Sequence, residues 1–156
     1  MNGEPPTPAQ LAAITDPFVR NLAALGRVRT YPKNTVFITE GDSSDSVFVI
    51  LSGKVKAFVS DSEGHELILN NQVPGDYVGE MALDGKPRSA SVVTLEPTTF
   101  SVVQREPLLE AIRHNPDFAL EMIGKVIERA REATDNVKNL ALLDVYGRVA
   151  RLLLNM

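Results

Sequence analysis

The stretch TVFITEGDSSDSVFVILSGKVKAFV, residues 35–59, decides the fold. It holds the short runs TVFIT, SVFVIL and KVKAFV, rich in β-branched and aromatic residues, with EGDSSD and SGK between them. Runs of this kind, bounded by Gly, Ser and Asp, read as strands joined by turns. VFVIL is apolar at every position, so it is expected to be buried on both faces. KVKAFV alternates Val55, Ala57 and Val59 against Lys54, Lys56 and Phe58, so one of its faces is expected to be partly wet.

The same grammar extends from Val28 to Val103. ELILN and TTFSVV add strands, and DSEG, VPGD and DGKP add turns. Glycines at 41, 53, 64, 75 and 85 are spaced 12, 11, 11 and 10 residues apart. Short strands at that pitch point to a sandwich or barrel rather than to parallel strands with helical crossovers. The expected fold class is therefore mainly β, a jelly roll with helices on both flanks.

On the N-terminal side, residues 1–8 carry three prolines and are expected to be loose. Leu11, Ile14, Phe18, Leu22 and Leu25 then fall at helical spacing, and Asp16-Pro17 splits them into two short helices. On the other side, PLLEAIRHN reads as a short helix with Pro107 in its first turn. Asn115-Pro116 restarts the chain as N-cap and first helical residue. The helix that follows is expected to reach about Ala141, roughly 39 Å at the rise of an α-helix.

Along that helix Ala119, Ile123, Val126, Ala130, Ala133, Val137 and Leu140 are spaced 4, 3, 4, 3, 4 and 3. So narrow a stripe suits another helix better than a sheet. A parallel homodimer through it is expected, against the alternative of a helix folded back on its own domain. Met122 and Ile127 lie off the stripe and are left to dock the helix on the roll. LLDVYGRVARLLLNM offers Asp144 as N-cap of a further apolar helix carrying Val145, Val149, Leu152, Leu153 and Leu154. The chain thus reads as cut at the start of a second domain. The expected divisions are 1–8, a loose start; 9–115, the roll; 116–141, the dimer helix; and 142–156, a hinge and the first helix of a further domain.

Composition narrows the function classes. The 156 residues carry a formal charge of -4, which argues against a dominant nucleic-acid surface in this stretch. The absence of cysteine removes disulfides, thiolate metal sites and cysteine nucleophiles. The start MNGEPPTPAQ lacks the pattern of a secretory signal, and no apolar run reaches membrane-spanning length. A cytoplasmic protein with no membrane partner is expected. A metal enzyme on a similar roll would need two or three histidines and a carboxylate together. The two histidines, His65 in a turn and His114 at a helix end, read as solvated side chains, so neither metal nor catalysis is expected.

The chemistry concentrates in GEMALDGKPRSASV, residues 79–92. Arg88 can offer a planar fork to two phosphate oxygens. The small neighbours Ser89 and Ala90 would let a ligand approach the backbone, and Ser89 adds a hydroxyl. GEMAL, with Met81 and Ala82, can form one helical turn whose N–H groups point at an anion. Gly79 and Gly85 permit conformations barred to other residues. Glu80 fits beside a phosphate if it accepts hydrogen bonds from a sugar hydroxyl, which an ionised carboxylate favours. Two readings stay open at this point. Either Glu80 and Arg88 hold the two halves of a nucleotide, or they pair with each other as an ordinary salt bridge.

This stretch resembles the phosphate-binding cassette of cyclic nucleotide-binding domains, roughly G-E-x-[AG]-L, a spacer, then P-R-[SA]-A. YPKNTVFITEGDSSDSVFVILSGKVKAF is similar to the first half of that family's β-roll. The long helix and VKNLALLDVYGRVARLLL resemble the dimer helix, hinge and first DNA-domain helix of the bacterial catabolite activator and fumarate-nitrate regulator family. The resemblance implies a ligand-gated transcription regulator, with the cassette Glu80 on the ribose hydroxyl and Arg88 and Ser89 on the cyclic phosphate. Gly79 and Ala90 would offer backbone groups. Leu69 and Ala57 would line the nucleotide, Arg129 would reach Glu80, and Thr134 would meet the base. The implied effector is cAMP, although Ala133 stands where catabolite activators carry a threonine. The implied partners are a second copy of the chain, DNA through a helix-turn-helix expected after Met156, and RNA polymerase. The alternatives are a cyclic-nucleotide module regulating a channel, kinase or transporter, or a sensor of cyclic di-GMP or of no nucleotide. The lack of cysteine excludes the family's iron–sulfur branch.

Overall fold

The computed structural model describes residues 3–154, with the side chains of all of these except 81, 82 and 139–146. It divides into two compact units, one ending at His114 and one beginning at Asn115.

In the first unit, α1 (Pro8–Ala12) and α2 (Pro17–Ala24) precede the strands. Each begins on a proline behind a capping side chain, Thr7 for α1 and Asp16 for α2. Proline suits that position because the N–H it lacks has no partner in the first turn. The split at Asp16-Pro17 therefore follows from local chemistry. The opening residues, read as loose, make contacts: the Val28 N–H donates to the Glu4 carbonyl at 2.8 Å, and Pro6 is buried.

The strands are β1 (Arg27–Tyr31), β2 (Val36–Ile38), β3 (Val47–Ser52), β4 (Val55–Ser60), β5 (Glu66–Gln72), β6 (Tyr77–Val78), β7 (Ser91–Thr94) and β8 (Thr98–Val103). They form two antiparallel four-stranded sheets with orders β1-β8-β3-β6 and β2-β7-β4-β5. The fold is the expected jelly roll. The sequence reading named TVFIT, SVFVIL, KVKAFV, ELILN and TTFSVV but singled out no run for β1, β6 or β7. Two-residue β6 is too short to show a pattern, and β1, as RVRTY, carries two arginines among its five residues.

The core lies between the sheets. Phe48, Ile50, Val78, Phe100 and Val102 from one sheet meet Ile38, Val55, Ala57 and Val92 from the other. Half-buried Phe37 packs against this core, its ring centroid 4.5 Å from that of Phe100. The opposite side of β3 and β8 is covered by α2, where the Ser101 hydroxyl donates to the Ala23 carbonyl at 2.6 Å and Phe18 meets Tyr77 edge to face. β3 is accordingly buried on both faces, with Val47, Val49 and Ile50 fully inaccessible. The turn SGK returns the chain tightly: Gly53 has φ 102°, and a Cβ there would sit 2.6 Å from the Thr98 Cα.

The alternation read into KVKAFV breaks halfway. Ala57 and Phe58 are both buried, and the β4–β5 register shifts between them while the β4–β7 register runs on unbroken. Ala57 pairs with Asn70 and Phe58 with Ile68, so Leu69 is the extra residue of a bulge. β5 is an edge strand, and Leu67, Ile68 and Leu69 are all more than half exposed.

After β8 comes α3 (Arg105–His114), with Pro107 in its first turn as expected. The second unit is built on one helix, α4, running without a break from Pro116 to Leu154. The expected stop near Ala141 and the new N-cap at Asp144 are corrected by this. The chain between 139 and 154 has no proline, and Asp144 and Gly147 weaken a helix by about 1 kcal/mol or less each, which a helix this long absorbs.

Candidate functional site

The site is assembled where three segments of the roll converge on Arg88. The first is the β2–β3 turn, residues 39–46. The second is the end of β6 at Gly79 with the 3-10 helix Glu80–Asp84 that follows it. The third is the run 86–91 that feeds β7.

Arg88 is only 5% exposed, an unusual burial for a charged side chain. Each nitrogen of its guanidinium donates to the protein. Nε donates to Ser44 Oγ at 2.9 Å, Nη1 to the Gly79 carbonyl at 2.7 Å, and Nη2 to the Ser46 carbonyl at 2.8 Å. Since each terminal nitrogen carries two hydrogens, one N–H remains on each. The main chain adds two more links: Arg88 N–H donates to the Asp42 carbonyl at 2.8 Å, and Gly41 N–H donates to the Arg88 carbonyl at 2.9 Å. Next to these, Glu40 N–H donates to Ser91 Oγ at 2.9 Å.

Burial lowers the guanidinium's pKa from its ordinary value, and the carboxylates of Asp45 and Glu80 pull it back up. The side chain remains a cation at any ordinary pH. What results is a desolvated positive charge held in a fixed plane by neutral acceptors, beside two carboxylates.

Gly79 is required twice over. Its φ is 94°, and a Cβ there would lie 2.7 Å from Arg88 Nη1 and 2.8 Å from the Ser46 carbonyl oxygen. The GEMAL segment forms the expected single helical turn, of the tighter 3-10 kind. The Leu83 carbonyl within it accepts from Arg105 Nη1, at the first residue of α3.

The expected site residues fall into five groups. Gly79, Glu80, Arg88, Ser89 and Ala90 come together in the cassette, with Glu80 and Ala90 half-buried and Ser89 exposed. Ala57 belongs to the inter-sheet core, whereas Leu69 is 53% exposed on the β5 bulge. The side chains of Met81, Ala82 and Leu140 lie outside the described residues. Arg129 and Thr134 sit in the second unit, where Arg129 is half-buried and the Thr134 hydroxyl donates to the Ala130 carbonyl at 3.0 Å. Of the expected dimer stripe, Ala119 is half-buried and Ile123, Val126, Ala130, Ala133 and Val137 are exposed.

The sequence reading missed Ser44, Ser46 and Arg105. EGDSSDS reads as a turn and nothing more, because no local signal ties residue 44 to residue 88.

His65 and His114 are both exposed. His65 Nδ1 lies 3.1 Å from Asp61 Oδ2 in the β4–β5 turn, where the His65 backbone N–H holds the Asp61 carboxyl below its usual pKa. Among the described residues no group of three or more His, Cys, Asp or Glu is placed to hold a metal ion. No described helix is long and apolar enough to cross a membrane.

The family model of the cyclic nucleotide-binding domain matches residues 28–115. The cAMP-activated global transcriptional regulator CRP of Salmonella typhimurium is 31% identical over 144 residues, covering 91% of this chain and 69% of the regulator. The CRP-like cAMP-activated global transcriptional regulator of Mycobacterium tuberculosis is 30% identical over 127 residues, covering 81% of this chain and 57% of that protein. Among solved structures, the Thermus thermophilus Catabolite Activator Protein matches with a TM-score of 0.70 at 32% identity. That match covers 85% of this chain, which spans 63% of the Thermus chain. A cAMP-bound EAL enzyme matches 72% of this chain at 28% identity with a TM-score of 0.56.

Proposed function

The chain belongs to the cyclic nucleotide-binding domain family, related to the CRP regulators, and from that premise we propose that it is the cAMP-sensing and dimerising part of a ligand-gated DNA-binding transcription regulator. The observation that carries the reading is Arg88. A buried guanidinium with one N–H left on each terminal nitrogen is suited to a singly charged phosphodiester. Glu80 stands next to it in the cassette to accept from the ribose hydroxyl. The nucleotide's charge then compensates a cation already desolvated by the fold, so little of the desolvation cost falls on binding.

The transcription-regulator reading draws on extent. The Salmonella alignment covers 91% of this chain and so runs beyond residues 28–115 into the flanking helices. The exposed stripe Ile123, Val126 and Val137 is the kind of surface a second copy would cover. Arg129 and Thr134 are carried as base-end contacts on the resemblance alone. DNA and RNA polymerase are proposed as partners of the whole regulator. For the ligand to act as a switch it must bind one state better than another. Moving an equilibrium from 1:99 to 99:1 takes about 5.5 kcal/mol, within reach of two ligands per dimer.

A second reading keeps the ligand site and changes the output, and the likeness to an EAL enzyme solved with cAMP bound favours it. Both readings depend on the site. Calorimetry with cAMP, cGMP and cyclic di-GMP on the wild-type chain and on Arg88→Ala tests what they share. The expected result is cAMP binding by the wild type and a loss of about 10- to 100-fold in the variant, the worth of a charge-assisted contact. Equal binding by both chains removes Arg88 from the site.

A further inference from the structure

Arg88 is aimed by a turn that lies 44 residues away in sequence. Two of the acceptors that fix its plane, the carbonyls of Gly79 and Ser46, belong to the main chain and are present whatever side chains stand there. The third, Ser44 Oγ, is a side-chain atom. It accepts from Nε, the nitrogen nearest the aliphatic stem, and so sets the rotation of the guanidinium about its long axis. With all three nitrogens bonded, the plane of the fork is fixed, and these bonds leave one N–H of each terminal nitrogen unused. The turn itself is not free to drift, since Gly41 and Asp42 bond the Arg88 main chain and Glu40 bonds Ser91.

We propose that the β2–β3 turn is part of the ligand site and that Ser44 is a positioning residue, its hydroxyl orienting Arg88 for the phosphate of a cyclic nucleotide. The inference rests on the proposed function and deepens it, because it assigns the phosphate's orientation to a residue outside the cassette. Ser44 acts through Arg88 and needs no contact with the ligand. Without the hydroxyl, Nε–H is left buried and unpaired, and the side chain can rotate to recover an acceptor. The fork then points away from the phosphate in part of the population, and affinity falls by that fraction.

The test is calorimetric titration of the whole chain with cAMP, run on wild type, Ser44→Ala, Ser44→Thr, Arg88→Lys and the double variant Ser44→Ala with Arg88→Lys. The ligand-free melting midpoint of each is recorded separately. Ser44→Ala is expected to bind cAMP about tenfold more weakly, an effect sized to one hydrogen bond to a charged group. Its ligand-free midpoint is expected to fall as well, because the buried Nε–H loses its acceptor. Ser44→Thr, which keeps the hydroxyl, is expected to restore the affinity. In the Arg88→Lys background, where no Nε–H remains to be held, Ser44→Ala is expected to change nothing further. Binding by Ser44→Ala within about twofold of wild type overturns the inference and leaves the proposed function standing. A Ser44→Thr chain as weak as Ser44→Ala overturns it too, because the hydroxyl would then not be the operative group. A wild-type chain that does not bind cAMP overturns the proposed function and this inference with it.

Discussion

β3 and the stripe along α4 are built from the same kinds of side chain and end in opposite environments. Val47, Phe48, Val49 and Ile50 are at most 7% exposed. Ile123, Val126 and Val137 are 50–66% exposed. The difference lies in what each segment's own unit supplies. β3 sits inside its sheet, with the second sheet on one face and α2 on the other, so an all-apolar run is the pattern that position selects. α4 presents a narrow row that nothing within its own unit covers. A hydrophobic run thus reports that a face is meant to be covered, and it does not report by what.

The comparison is broken most severely from the roll side. Phe100→Ala removes a fully buried ring that packs on Phe37, Phe48 and Tyr31. It is expected to cost about 3–5 kcal/mol in denaturant unfolding. A cost near zero would mean that the inter-sheet core does not hold the roll together.

Gly79→Ala probes where core and site share one backbone position. The positive φ and the close approach to Arg88 and Ser46 together are expected to cost about 1–3 kcal/mol. Because the added Cβ pushes on Nη1, cAMP affinity should fall along with stability. A variant as stable as wild type with unchanged affinity would contradict the packing described here.

The helix side carries the smallest effect on folding. Replacing Ile123 and Val126 together by serine is expected to change the unfolding free energy of the roll by about 0.5 kcal/mol or less, as at other exposed positions. Sedimentation of the same variant should show a loss of the self-association proposed for this stripe. A large drop in roll stability would place the stripe against its own roll and reverse the comparison.

Much of this was legible in advance. The β-rich grammar of residues 35–59 and the proline-split helices before it follow from local rules of turn and side-chain period, and the cassette at 79–92 was legible by its resemblance to a known motif. Those rules act over a few residues, so they survive in sequence. The β5 bulge was not legible, because register depends on the partner strand. Alternation in KVKAFV predicted a wet Phe58 that is in fact buried. The single span of α4 was misjudged for the opposite reason: one aspartate at a plausible N-cap position outweighed the absence of any true breaker.

The amino-acid sequence by itself determined that a roll would form, where its helices begin, and that Arg88 and Glu80 would share one loop. Only the tertiary structure decided how Arg88 is held. Its acceptors come from residues 44, 46 and 79, and distant chain segments are brought to one guanidinium only after two sheets have closed over a common core. Hydrogen bonds of that range leave no periodic trace in sequence, since each needs only one oxygen in the right place.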